Sequence, residues 1–434
     1  MRPEAPIRWD IVEEHLDEAG FLRQLWEEAL RSPVYTLAEI AAGPEERMLA
    51  HLDGLVVAGR RAAEKLLLPA LGGDDPGLVF AAAFALLASE DGDFTDAVLA
   101  ALGEAEPEPR AAIRRALGVV PRADLGARLA ALAPRAAPPL QADLLEVLAS
   151  LRVDPGVRLE PLFAGKSAAD RARALRIARA FPGRLDPRAV ERGLVDAGAE
   201  VRAAAMETGL VTGVRGAAGA CEAEVAGRGE AFATAALLGA LSGEEKAVAP
   251  LVEALGDDDV VGPALFALGF TGRVAAADAL LELMERDEKL APLAAEGFCA
   301  ISGLVVGKRF ERETPPWRPK GPFEDEDETY GPESDLPKPV PETIAGWWKE
   351  ARPRLDARKR WLRGQPWSVE ALVRELEEGP ARRREALAAE LAIRTKGQVQ
   401  VAWDALGRRQ GRELAEASGA GARASTRPQG MGAR

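Results

Sequence analysis

The feature that most restricts what this chain can fold into is a spacing. "ALFALGFTG" (264–272) aligns with "AALLGALSG" (235–243), "AMETGLVTG" (205–213) and "AEGFCAISG" (295–303). Weaker copies run back through "LRIARAF" (175–181), "LEVLASL" (145–151), "RRALGVV" (114–120) and "AFALLAS" (83–89) to "LDGLVVAG" (52–59). One position recurs throughout: Leu55, Leu86, Leu117, Leu148, Ala178, Gly209, Gly239, Leu268 and Cys299, separated by 31, 31, 31, 30, 31, 30, 29 and 31 residues. A period this steady marks one supersecondary unit repeated, each copy burying its apolar face against the next.

The strongest copy shows what the unit is. Val261, Leu265 and Leu268 are spaced i, i+4, i+7, one stripe of a helix. Gly269, Thr271 and Gly272 are expected to stop that helix, since glycine accepts the left-handed conformation of a C-terminal cap. Ala277, Leu280, Leu281 and Met284 then share a face of a second helix. Neither helix buries its stripe alone. The expectation is an all-α fold, an α-solenoid of stacked helical hairpins, which at one packed helix per 8–10 Å would run roughly 80–90 Å.

These phrases resemble short HEAT-like repeats, the type also seen in phycobilisome bilin lyases. "ALGDDDVVGPALFALGFTG" fits best, with Asp257 to Asp259 as the acidic turn. More broadly the chain resembles an uncharacterised bacterial HEAT-like-repeat protein family. The residues that carry the likeness are "LAHLDGLVVAG" (49–59), the repeats, "EGFCAISGL" (296–304), "GWW" (346–348) and "KRWLRGQPW" (359–367). The resemblance covers the chain to about residue 416 and implies a solenoid. It carries over no activity. Some relatives lie near contractile secretion loci, so it also suggests an accessory role at such a machine.

Domain organisation follows from where the period holds. Residues 1–48 read as an N-terminal helical cap, with a helix near 10–30 carrying Leu16, Phe21, Leu22, Leu25 and Trp26. The repeats occupy 49–304. Residues 305–345 read as a Pro/acid-rich irregular insertion: 314–341 holds eight prolines in 28 residues and an acidic patch, Glu324 to Thr329. A helical C-terminal segment (346–416) is expected to place helices at 341–352, 369–378, 381–393 and 397–416, the first beginning inside the insertion. The tail 417–434 reads as disordered.

Composition agrees with a repeat fold. A chain of 434 residues exceeds one ordinary domain, but a solenoid grows linearly. Cys221 and Cys299 are too few for a disulfide framework and read as small buried hydrophobes. The charged start "MRPEAPIRWDIVEEHLDEAG" has no apolar leader core, and no apolar run is long enough to span a membrane. A cytoplasmic location is expected.

Charge is uneven. Residues 351–434 carry 18 Lys+Arg and 10 Asp+Glu, a net of +8, against 38 and 59 elsewhere. An acidic solenoid repels nucleic-acid phosphates, so no nucleic-acid partner is expected. "ARRRE" (381–385) and "GRRQGRE" (407–413) read as solvated helix faces.

Catalytic readings fail on residue types. His15 and His51 are the only histidines, so the several His-Glu pairs of HEAT-like iron hydroxylases are missing. No Cys-x-x-Cys or His cluster suits zinc, and "GLVVGKRF" (303–310) lacks phosphate-loop spacing. "EDEDE" (324–328) reads as a solvated acidic loop. The expectation is no enzyme, no catalytic residue, no cofactor and no metal. One cluster departs from the plain repeat: Trp317, Trp347, Trp348, Trp361 and Trp367, five of eight tryptophans. Their density beside prolines and arginines is interface-like. They are the candidate partner-binding residues, with a plug that folds back on the repeats as the alternative.

The sequence thus points to a non-enzymatic protein–protein interaction scaffold with an unnamed protein partner. A bilin-lyase-like enzyme or enzyme auxiliary, and a DNA-binding HEAT-like repeat protein, are the alternatives.

Overall fold

The computed structural model describes residues 7–307, 309–312 and 335–420. Among these, extended structure is confined to Trp361–Leu362 paired antiparallel with Gln365–Pro366, and a bridge between Glu311 and Pro339. The rest is helices and their connections. The fold is all-α.

The recurring position falls in the last turn of nine successive helices: Glu46–Val57, Pro76–Ala88, Pro107–Val119, Pro138–Leu151, Ala168–Arg179, Ala199–Thr212, Phe232–Leu241, Val261–Thr271 and Ala291–Ser302. Each of these anchor helices packs on the next in chain order. Seven of the nine recurring residues are buried; Gly239 and Cys299 are half-buried. The second helix of each unit is far less regular. It runs Thr95–Glu104, Leu125–Leu132, Pro187–Gly193, Ala217–Ala226, Val248–Ala254 and Val274–Arg286, but is only a 3-10 turn, Glu160–Ala164, after the fourth anchor helix.

Gly272 ends its helix as expected, with φ 66°. Gly269 does not. It lies inside Val261–Thr271, where an added Cβ would stand 2.7 Å from Gly297 Cα of the next anchor helix. Its missing side chain lets two helices approach rather than letting one stop.

At the N-terminus the helix is Trp9–Ala29, with Leu16, Leu22 and Trp26 buried. Phe21 is 57% exposed, because it stands about 100° around the helix from Leu22 and off the buried stripe. At the C-terminus, Pro341–Ala351 crosses the boundary set at 345, Val369–Glu378 falls where expected, and Arg384–Arg394 follows a 3-10 turn, Ala381–Arg383. The helix expected over 397–416 is instead Gly407–Ala420. Lys396 (φ 53°) and Gly397 (φ 73°) both turn left-handed, which stops the preceding helix and leaves 398–406 irregular. Helix therefore also runs four residues into the expected tail. Trp317, the acidic patch and residues 421–434 lie outside the described residues.

Arg382 N donates to Ser32 O at 2.9 Å, while the Arg382 guanidinium stands 3.7 Å from Glu296 of the last anchor helix. Pro33 and Pro292 line one small cavity. The N-terminal cap and the last anchor helix thus come close, and the chain's own C-terminal segment touches both. The core divides into two large clusters, one from each half of the array, with Trp403 packed on both.

Glu45 ties the N-terminal region to that segment. Its carboxylate accepts from Trp26 Nε1 at 3.1 Å and from Gly407 N at 2.9 Å. Burial raises its pKa above the ordinary 4.5, against those two hydrogen bonds, which lower it. The folded state therefore holds this proton more tightly than the unfolded chain. The stabilisation is fully present below the ordinary glutamate range and is lost as pH rises through the raised value. Relative to wild type, Glu45→Gln should gain stability as pH goes from about 4 to about 7. A difference that stays flat with pH would show that Glu45 does not titrate in this way.

Candidate functional site

The clearest constellation is built where the C-terminal segment crosses the C-terminal ends of the anchor helices. Those ends carry unpaired carbonyls and the negative pole of the helix dipole. Cations and N–H groups suit them. Trp361 N donates to Gly272 O at 2.7 Å, Arg363 N to Ala300 O at 2.7 Å, and Gly364 N to Ile301 O at 2.9 Å. Arg360 Nη2 reaches Phe270 O at 2.8 Å and Arg383 Nη2 reaches Gly269 O at 2.9 Å. Further along, Arg394 Nη2 caps Leu241 O at 3.0 Å, Gln400 Nε2 meets Arg179 O at 3.3 Å, and Arg409 Nη2 meets Ser150 O at 2.6 Å. The segment runs backwards along the array, serving one helix end after another.

Glu390 balances the charge at the centre. It is 1% exposed, accepts from both Arg360 and Arg394, and sits on the Arg384–Arg394 helix. Arg383 stacks on Phe270 with its guanidinium carbon 3.8 Å from the ring centroid. Desolvation lowers the pKa of Arg383 and of Arg394 below the ordinary arginine value. This corrects the reading of "ARRRE" as a solvated face: Arg383 and Arg384 are buried. Much of the excess positive charge after residue 351 faces helix carbonyls inside the fold.

The tryptophans divide between roles. Trp348 is buried, and its Nε1 donates to Asp278 Oδ1 at 2.8 Å. Arg352 forks onto the same carboxylate, Nε to Oδ1 and Nη2 to Oδ2, both at 2.8 Å. Burial works to raise the Asp278 pKa, but the hydrogen bonds from Arg352 and Trp348 together hold it below its ordinary value. Trp347 is half-buried. Its ring stacks on Trp348 at 6.1 Å, and both rings meet Phe298 edge-on, at 6.3 and 5.1 Å. Adjacent residues on a helix point about 100° apart, yet one phenyl ring is wide enough to touch both. Trp361 is buried with Nε1 donating to Asp356 O at 3.0 Å, and Trp367 lies between the guanidiniums of Arg360 and Arg394. Four of the five candidates thus pack in the same core cluster as the last three anchor helices, where Trp348 and Trp361 are buried.

His15 and His51 do meet, Nδ1 to Nδ1 at 3.1 Å. No three His, Cys, Asp or Glu side chains gather as a metal-ion group among the described residues. Cys221 and Cys299 are free thiols, and burial pushes both up to about 12, far from thiolate reactivity. No described helix is long and apolar enough to cross a membrane.

No known protein family and no curated protein matches the chain. Among solved structures it is similar to human deoxyhypusine hydroxylase in complex with glycerol, at 17% identity over 68% of this chain and 96% of that one, with a TM-score of 0.20. A likeness that faint carries no inference about activity.

Sequence reasoning missed the capping arginines. The signal was present, since a block of net +8 follows 350 residues of net −21 whose helices end in carbonyls that need donors.

Proposed function

We propose that the chain is a non-enzymatic protein-interaction scaffold of the cytoplasm, a HEAT-like solenoid whose own C-terminal segment braces it, and that Trp347 presents the partner contact. The observation that carries this is the split between adjacent tryptophans. Trp348 is fixed by Asp278 and Phe298, whereas Trp347 stacks on it and is only half-buried. A rigidly backed, half-exposed Trp is the composition of an interface anchor. The steady period and the chain-order packing of the anchor helices support the solenoid reading.

Trp348→Ala should lower the melting temperature by several degrees, while Trp347→Ala should leave melting nearly unchanged and abolish co-purification of the partner from the cell that makes it. If both variants melt early and both retain every partner, the tryptophans are a structural plug and this reading falls.

A further inference from the structure

In five of the nine units the position four residues after the recurring residue is a glycine, Gly59, Gly213, Gly243, Gly272 or Gly303, each left-handed with φ between 66° and 79°. In the fourth unit the same position holds Arg152, also left-handed, with φ 57°. Glycine adopts that conformation with no Cβ penalty, whereas an L side chain there is strained. The cap's own hydrogen bonds, Arg152 N to Ala149 O and Val153 N to Leu148 O, are backbone only and do not call for arginine.

The side chain faces a cavity of about 640 Å³ between the fourth anchor helix, the 397–400 turn and the last helix. Arg409, Arg412, Glu413 and Glu416 also line it. Their charges are mostly answered. Arg409 pairs with Glu413 at 2.8 Å and caps Ser150 O, and the other Glu413 oxygen accepts from Ala402 N at 2.7 Å. Nearby Arg179 is paired with Glu207. Arg152 has a buried Nε with no hydrogen-bond partner and no carboxylate in ion-pair contact, and Arg412 stands exposed at the rim. Desolvation, with Arg409 and Arg179 close by, pushes the Arg152 guanidinium down to about 10 even though Glu413 and Asp404 favour its charge. A strained, desolvated cation left unpaired in a ligand-sized cavity calls for an anion.

We propose that this cavity binds a phosphate-bearing small molecule, the phosphate seated on the Arg152 guanidinium with Arg412 closing over it from the rim. Planar guanidinium groups match phosphate oxygens through paired N–H donors, and two of them suit a doubly charged head better than a single carboxylate.

Inorganic phosphate is the probe, compared with acetate and chloride at equal ionic strength, with thermal melting as the readout. Phosphate at about 5 mM should raise wild-type melting by about 1–3 °C over chloride, and acetate by less. Arg152→Gly installs the left-handed glycine that five other units carry at this position, so it should melt no earlier than wild type in chloride and lose the phosphate response. Arg412→Gln should keep wild-type melting and weaken the response. The proposal is overturned if wild type does not respond, if acetate matches phosphate, if Arg152→Gly responds as wild type does, or if Arg152→Gly melts earlier in chloride, which would make Arg152 structural.

Discussion

Glu390→Ala should lower the unfolding free energy by about 3–5 kcal/mol, the cost of leaving buried cations without their counter-ion. Glu390 is 1% exposed and the carboxylate toward which both Arg360 and Arg394 turn. Removing it takes the shared carboxylate from two guanidiniums whose other acceptors include carbonyl oxygens at Phe270, Thr271, Leu241 and Ser242. Dipoles hold part of that charge, not all of it. Urea titration should show the midpoint falling with little change in slope, since the surface exposed on unfolding is nearly the same. Arg394→Met on its own should also be costly, because two helix-end carbonyls lose their donor. The double variant should cost less than the two single losses added, the mark of a direct pair. A loss below about 1 kcal/mol in Glu390→Ala would mean that the C-terminal segment does not brace the array through this pair.

That brace explains where the sequence could be read and where it could not. The anchor helices were legible because their apolar spacing is local: Leu265 and Leu268 face inward whatever surrounds the hairpin. Gly272 was legible for the same reason, since a left-handed cap is a property of one residue. Gly269 was not, because its role is a contact with Gly297 on another helix, and no local pattern distinguishes a glycine that stops a helix from one that admits a neighbour. The arginines at 383 and 384 were misread for a related reason. A charge run on a helix is normally solvated, and only the tertiary arrangement supplies carbonyls for it to cap. The all-α class was legible in the period, while the path the helices follow was not, because curvature accumulates from small rotations per unit that composition does not encode. Of the candidate site, the tryptophan cluster was legible as unusual, but not the division of labour between Trp347 and Trp348, which depends on Asp278 seventy residues earlier in the chain.

The register of the repeats can be tested at its best-defined position. Leu268 is 0% exposed, at the end of an anchor helix whose neighbours on both sides belong to the same core cluster. Truncating a buried leucine removes its transfer free energy and leaves a cavity where the surroundings cannot collapse, so Leu268→Ala should cost about 2–5 kcal/mol. The upper part of that range is expected here. Gly269 and Gly297 already bring the two helices as close as backbone allows, so they cannot slide together to fill the space. Cys299 holds the same register one unit later but is only half-buried. Cys299→Ala removes one sulfur from a partly open site and should cost under about 1.5 kcal/mol. Chemical denaturation of both variants reads the contrast directly. Equal losses would mean that Cys299 is packed as deeply as Leu268, and a neutral Leu268→Ala would place the anchor on another residue of the helix.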